Sequence, residues 1–184
     1  MEYSNIYDKF GEKTGELIER NKAHKNGTYH RAIHLWLMNM QNEILIQQRS
    51  SDDEWAADFW YVSVAGHVDS SEGVKNTLIR ETKEELGLDI SHITDSIQYL
   101  YTFTEHITSD DCSYNDNEII DVFVLKFDFD VNQITIQAEE VQAVKFITYD
   151  EFKKVINNKD KSFWHHIVGF KMLLPALDDF CGSI

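Results

Sequence analysis

Three carboxylates, Glu81, Glu84 and Glu85, fall within five residues of a stretch that reads as a helix. Spacings of three and four residues put all three on one helical face. Like charges held that close repel and weaken a helix. A divalent cation turns this liability into a binding site, because hard cations take oxygen ligands. The segment leading in, Gly66-His67-Val68-Asp69-Ser70-Ser71-Glu72, adds an imidazole and two further carboxylates. The other use of such a helix is a solvated acidic face, common in a chain with net charge −15.

The spacing separates these two uses. The pattern runs Gly66, five residues, Glu72, seven residues, Arg80-Glu81, two residues, Glu84-Glu85, one residue, Gly87-Leu88. It resembles the Nudix box. Seven fixed identities at about 7% frequency each match by chance roughly once in a hundred million starts. Thr82 departs from the family, which places an aliphatic residue there; its methyl still reaches a core, so a packing cost is expected and the chemistry stays intact.

The resemblance implies an α/β/α sandwich around a mixed sheet. It makes Glu81, Glu84 and Glu85 ligands for one to three Mg²⁺ ions, with Mn²⁺ as a substitute, and the carbonyl of Gly66 a further ligand. Glu84 or Glu85 also faces the attacking water. Cleaving a diphosphate bond needs charge neutralisation and an in-line water, and bound metals supply both. Glu72 and Arg80 are expected to pair structurally. Gly66 and Gly87 are expected to be conformational, a tight loop and a helix stop. A base from outside the box has four candidates, Glu118, Asp116, Glu139 and Glu140; Glu118, opening a strand beside a long acidic loop, is favoured, as a further metal ligand or as the base.

The resemblance extends beyond the box. Tyr7-Asp8, Gly11, Thr14-Gly15, His24, Tyr29-His30-Arg31-Ala32 and Gln47-Gln48-Arg49-Ser50 are similar to the branch that includes type I isopentenyl diphosphate isomerases. In those enzymes three histidines and two acidic residues hold a divalent metal. The matching positions here are His24, His30, His67, Asp116 and Glu118, although the spacing of the first two histidines differs slightly. Imidazole with carboxylate suits Zn²⁺ or Mn²⁺. One departure divides hydrolase from isomerase: the isomerases carry a catalytic Cys before the Gly-His pair, and this chain has Ala65. A methyl neither donates nor accepts a proton. With the Glu-Glu box intact, the residues favour a hydrolase of a nucleoside diphosphate linked to another moiety, or a related organic diphosphate. An isomerase and a non-catalytic diphosphate sensor are the competing readings.

For the substrate itself, Arg31, Arg49 and Lys75 are phosphate candidates. Trp60, Tyr61 and Trp164 are candidate stacking surfaces, with His165 and His166 beside the last. Trp36 reads as core.

These residues need a scaffold. The chain has 184 residues, 42% hydrophobic and 12% aromatic, enough for one folded domain spanning 1–184, with an N-terminal extension over about 1–28. The strong negative charge argues against nucleic acid and anionic membranes as partners. No signal peptide or membrane span is read, and Cys112 and Cys181 read as free thiols, so a cytoplasmic protein is expected. A homodimer is compatible with the family, though no residue encodes it. The pattern predicts a hairpin from residues 3–8 and 14–19, a loop over 20–29, and strands at 32–38, 44–49 and 59–64. A helix follows over 72–86, with Val74, Leu78 and Leu86 facing the sheet. Further strands are expected at 97–107, 118–129 and 144–147, a polar loop over 108–117, and helices over 149–156 and 163–177.

Overall fold

A computed structural model describes residues 2–51, 56–109, 114–164 and 167–182. The N-terminal hairpin forms as expected, from β1 (Tyr3–Tyr7) and β2 (Lys13–Glu19). Its turn is held by Asp8, whose Oδ1 accepts from the backbone N–H groups of Phe10 and Glu12 at 2.8 and 3.0 Å. The hairpin is tied to the body by Tyr7 N–H to the Tyr29 carbonyl (2.9 Å) and Ser70 N–H to the Tyr3 carbonyl (2.7 Å).

Residues 20–29 are not simply a loop: Arg20–Asn26 form helix α1, closed by Gly27 in the left-handed conformation (φ 64°). The helix has no apolar stripe to announce it, since Ala23 is its one buried residue.

The main sheet has the order β5-β4-β3-β8-β7, with β3 (His30–Met38), β4 (Glu43–Arg49), β5 (Trp60–Tyr61), β7 (Gln98–Thr108) and β8 (Asn115–Lys126). Two more strands complete it: β6 (Val64–His67) on β3 and β9 (Val141–Thr148) on β4. β3 and β8 run parallel, from the pair His30–Glu118 to Met38–Lys126. Part of the expected loop over 108–117 is ladder, because pairing of β7 with β8 takes in Thr108 on one strand and Asn115 to Asn117 on the other. Polar residues disguise these strand ends, since they alternate into a site and not into a core.

The single strand expected at 59–64 is two. Trp60 and Tyr61 pair with β4, while Val64 to His67 pair with β3. Between them β3 changes partner, from β6 along its first half to β4 at Met38. Ser63 bridges the split: its hydroxyl accepts from Leu37 N–H (2.8 Å) and donates to the Leu45 carbonyl (2.5 Å). The buried backbone groups there are satisfied without a continuous ladder.

Each face of the sheet carries a core, which confirms the sandwich. On one face Ile33, Leu35 and Leu37 of β3 join Leu78 and Leu86 of α2 (Val74–Leu86), with Val74 packed against them. On the other, Trp36 and Met38 join Phe152 and Ile156 of α3 (Tyr149–Asn158) and Phe170, Leu173 and Leu177 of α4 (Ile167–Gly182). Each such buried side chain contributes about 1.5–3 kcal/mol. Helix α4 starts later than expected and continues through Pro175. Thr82 is fully buried, and its hydroxyl donates to the Leu78 carbonyl at 2.6 Å, which satisfies it inside the helix.

Among the described residues no helix is long and apolar enough to cross a membrane. Cys181 is a free, half-buried thiol. Cys112, His165 and His166 lie outside the described residues.

Candidate active site

A cavity of about 520 Å³ opens where β3 changes partner, and both sets of candidate residues reach it. From one side come Glu81, Glu84 and Glu85 of α2. From the other come His67, Asp116 and Glu118.

On the helix side, Gly66 and Glu81 are in close apposition: a Cβ at residue 66 would collide with Cγ, Cδ and Oε1 of Glu81. Glycine is required there by proximity. The φ that demands glycine occurs instead at Gly87 (70°), the expected helix stop. Glu85 is 3% exposed and reaches into the split, where its Oε2 accepts from Gln47 of β4 and from Ala65 N–H of β6, both at 3.3 Å. Burial, reinforced by Glu81, pushes the Glu85 carboxyl well above its usual range; burial also lifts Glu81 to about 7. Clustered buried carboxylates in this state are what a cation would relieve. Glu84 is exposed.

Arg80 organises this edge. Its Nη2 meets Glu72 Oε1 at 2.5 Å and the His67 carbonyl at 3.2 Å, while Nη1 meets Glu81 at 2.8 Å and Glu84 at 3.0 Å. Glu72 also accepts from Thr77 at 2.9 Å. The expected Glu72–Arg80 pair is present and anchors the loop to the helix.

On the opposite side, the rings of His24, His30 and His67 stand 5.0–5.2 Å apart, centre to centre. A ligand atom from each, with one from Glu118, lies within 4.8 Å of the others. Donors at about 2.1 Å from a tetrahedral ion are about 3.4 Å apart, so the widest pair would close by up to about 1.4 Å around one. Glu118 Oε1 is 2.7 Å from His67 Nε2 and 3.7 Å from His30 Nε2. His30 Nδ1 bonds the Thr28 carbonyl at 3.0 Å, which turns Nε2 toward Asp116 (3.6 Å) and Glu118. Buried His24 Nε2, His30 Nε2, His67 Nδ1 and Asp116 Oδ1 find no hydrogen-bond partner among the described residues. Such orphaned atoms fit a missing cation.

Ionisation agrees with that fit. Burial lowers His24 to about 4 and His67 to about 3, so both are neutral ligands at pH 7. Burial opposes ionisation of Glu118, but the His30 imidazole 3.7 Å away and the hydrogen bond from His67 overcome it and hold the carboxyl well below its usual range. His30 is raised: burial lowers it, and Glu118 and Asp116 outweigh that.

The remaining candidates divide. Arg49 lines the cavity with its guanidinium 5.3 Å from the Tyr61 ring, and Trp164 lines it too, edge-on to Phe59 at 5.6 Å. Glu140 lines the cavity, while Glu139 does not. Arg31 is not at the wall: it pairs with buried Asp121 at 2.8 Å and lies over the Tyr7 ring. Trp60 is capped by Lys145 at 3.9 Å, and Lys75 pairs with Asp95 at 3.5 Å, away from the cavity. The pattern of the sequence missed Arg20, His34 and Glu105, all of which line it. Two carry a readable signal, being a His and a Glu set on the inward face of otherwise apolar strands.

A family model for the NUDIX domain matches residues 28–167, and the chain belongs to this family as a Nudix hydrolase. The family acts on small-molecule diphosphates and generally uses divalent metals. Its relatives place the chain in the branch shared with isopentenyl diphosphate isomerases. It is 31% identical over 166 residues to Nudix hydrolase 3 of Arabidopsis thaliana, covering 88% of this chain but 21% of that protein, so it spans about a fifth of that relative. It is 29% identical over 162 residues to isopentenyl-diphosphate Delta-isomerase 1 of Photorhabdus laumondii, covering 88% of each. In fold it is similar to DR0079 of Deinococcus radiodurans, with a TM-score of 0.64 and 21% identity, over 85% of this chain and 90% of that one.

Proposed function

We propose that the chain hydrolyses a diphosphate bond in a nucleoside diphosphate linked to another moiety, or in a related organic diphosphate, with Mg²⁺ held by Glu81, Glu84, Glu85 and Gly66. The observation that carries this is the convergence of the helix carboxylates and Gly66 on one cavity wall. Bound there, the cation would offset phosphate charge and assist ionisation of water.

The chain's own residues do the rest. Arg80 holds Glu81 and Glu84 in place through its paired contacts. Glu85 Oε2 is fixed by two donors, which leaves Oε1 to take a proton from the attacking water. The water oxygen bonds to phosphorus, the bridging P–O bond breaks, and the departing phosphate keeps that electron pair. Arg49, on the same cavity, is placed to neutralise the departing group. The histidines, with Glu118 and Asp116, form a second metal site for Mn²⁺ or Zn²⁺. Glu118 therefore serves that site first and is a base only through it.

The isomerase-like reading draws on this histidine site and on the Photorhabdus relative. Against it, Ala65 stands in the cavity wall with no proton to exchange. The deciding experiment is incubation with Mg²⁺ and a panel of nucleoside-linked and simple organic diphosphates, isopentenyl diphosphate included. Release of phosphate or a monophosphate, abolished in Glu85→Gln, is expected. An allylic isomer without phosphate release, or full activity in Glu85→Gln, would overturn the assignment.

A further inference from the structure

Helix α1 is held to the body in a way that the cores do not require. It has seven residues and one buried side chain, Ala23, and none of its residues enters either hydrophobic core. A helix this short does not persist alone in water. Its C-terminus is instead fastened to β8. Gly27 donates its N–H to the Asn115 carbonyl at 3.0 Å, and its own carbonyl accepts from Asn117 Nδ2 at 2.6 Å. A Cβ at residue 27 would run into the Asn115 side-chain amide, so the approach is as close as glycine allows.

The two amides are themselves set from the neighbouring strand. His106 of β7, the register partner of Asn117, bonds Asn117 Oδ1 through its Nδ1, and Thr108 donates to Asn115 Oδ1 at 3.4 Å. With both oxygens engaged, both Nδ2 groups face Gly27. Along β8 these amides alternate with Asp116 and Glu118, the carboxylates beside His30. Successive strand residues point to opposite faces, so the run from Asn115 to Glu118 serves the histidine cluster and the helix end together. His24 lies in the last turn of α1, just ahead of Gly27, and its buried Nε2 has no hydrogen-bond partner among the described residues.

We infer that Asn117 and Gly27 are positioning residues for the histidine metal site: their bond fixes the last turn of α1 and so brings the His24 imidazole to the cation. This rests on the second-site reading above. His30 and His67 are placed by strand pairing, His30 opposite Glu118 and His67 opposite Ala32, and need no such clasp. His24 rides on an element that neither core holds. Residues outside the ligand set that orient a ligand are worth about 10–100-fold in metal affinity.

The test titrates the full chain with Co²⁺ in excess Mg²⁺, reading affinity and the visible absorption of the bound ion, with a thermal melt in chelator to show folding. Asn117→Ala removes the donor without adding bulk, and Gly27→Ala pushes the end of α1 off β8. Each is expected to weaken Co²⁺ binding about tenfold or more and to shift the absorption to that of His24→Ala. Asn117→Ala combined with His24→Ala should bind within about twofold of His24→Ala alone, because the two changes remove one ligand between them. Parental affinity and absorption in Asn117→Ala, or losses that multiply in the combined variant, would overturn the inference and leave the metal site standing. A parent chain that binds no Co²⁺ would sink the metal site and the inference with it.

Discussion

Gly66→Ala tests whether Glu81 is held where the chemistry needs it. The new methyl would sit inside contact distance of three Glu81 atoms. Carbon atoms rest about 3.5–4.0 Å apart, so the carboxylate must retreat by about 1 Å or more. It has little room, being 9% exposed and bonded to Arg80 Nη1 at 2.8 Å. Overpacking of this kind costs about 1–3 kcal/mol. For a chain of this length that lowers Tm by roughly 2–12 °C. Displacing a catalytic group by about 1 Å costs about 100-fold in rate. The assay is a thermal melt with steady-state turnover in Mg²⁺, run also on Gly66→Ala combined with Glu81→Ala, which removes all three colliding atoms. The truncated side chain should restore the melt and not the turnover. A Gly66→Ala variant that melts and turns over like the parent would refute the apposition and the role given to Glu81.

Further outcomes can be stated briefly. Arg31→Ala should destabilise by about 3–5 kcal/mol, because Asp121 is left buried without its cation, while kcat in surviving protein stays within about twofold; a selective rise in KM would return Arg31 to the substrate site. His24→Ala and His67→Ala should each weaken Mn²⁺ or Zn²⁺ binding at least about tenfold, read as metal per chain after dialysis. Unchanged stoichiometry would dissolve the proposed second site. The metal-free protein should lose stability as pH rises from about 4.5 to about 8 through Glu105. Burial raises that carboxyl to about 8, so the unfolded chain releases the proton first, and the contribution is whole below the unfolded pKa and gone above the folded one. Glu81, raised to about 7, acts with the same sign. Melting in chelator across this range should slope downward, less so in Glu105→Gln, and a flat profile would contradict the burial of both groups.

The helix and its carboxylates were legible in the sequence because their chemistry has a fixed spacing on one element. The same holds for Glu72–Arg80 and for the helix stop at Gly87. The histidine cluster was legible only through resemblance, since His24, His30, His67 and Glu118 come from four elements and meet only through β3–β8 and β3–β6 pairing. Helix α1 was hidden because one buried alanine leaves no periodicity. The division of β5 from β6 was hidden because Trp60 to Val64 is apolar but for Ser63, and one small polar residue does not mark a change of partner. Arg31 resembled a phosphate ligand by type, but its buried partner Asp121 lies 90 residues away in sequence. Glu105 and His34 were visible as polar interruptions, yet their meaning needed the cavity.

The split between β6 and β4 also bears on how such a chain can change over generations. The helix carrying Glu81, Glu84 and Glu85 packs against one core, and the opposite face of the sheet packs against the other. Substitutions that alter one face therefore perturb a packing layer that the other face does not share. Changes on the far face of the sheet can therefore accumulate while the helix carboxylates are left undisturbed. Ser63, which bonds β3 and β4, and Glu85, which bonds β4 and β6, are the residues through which the two histories stay joined.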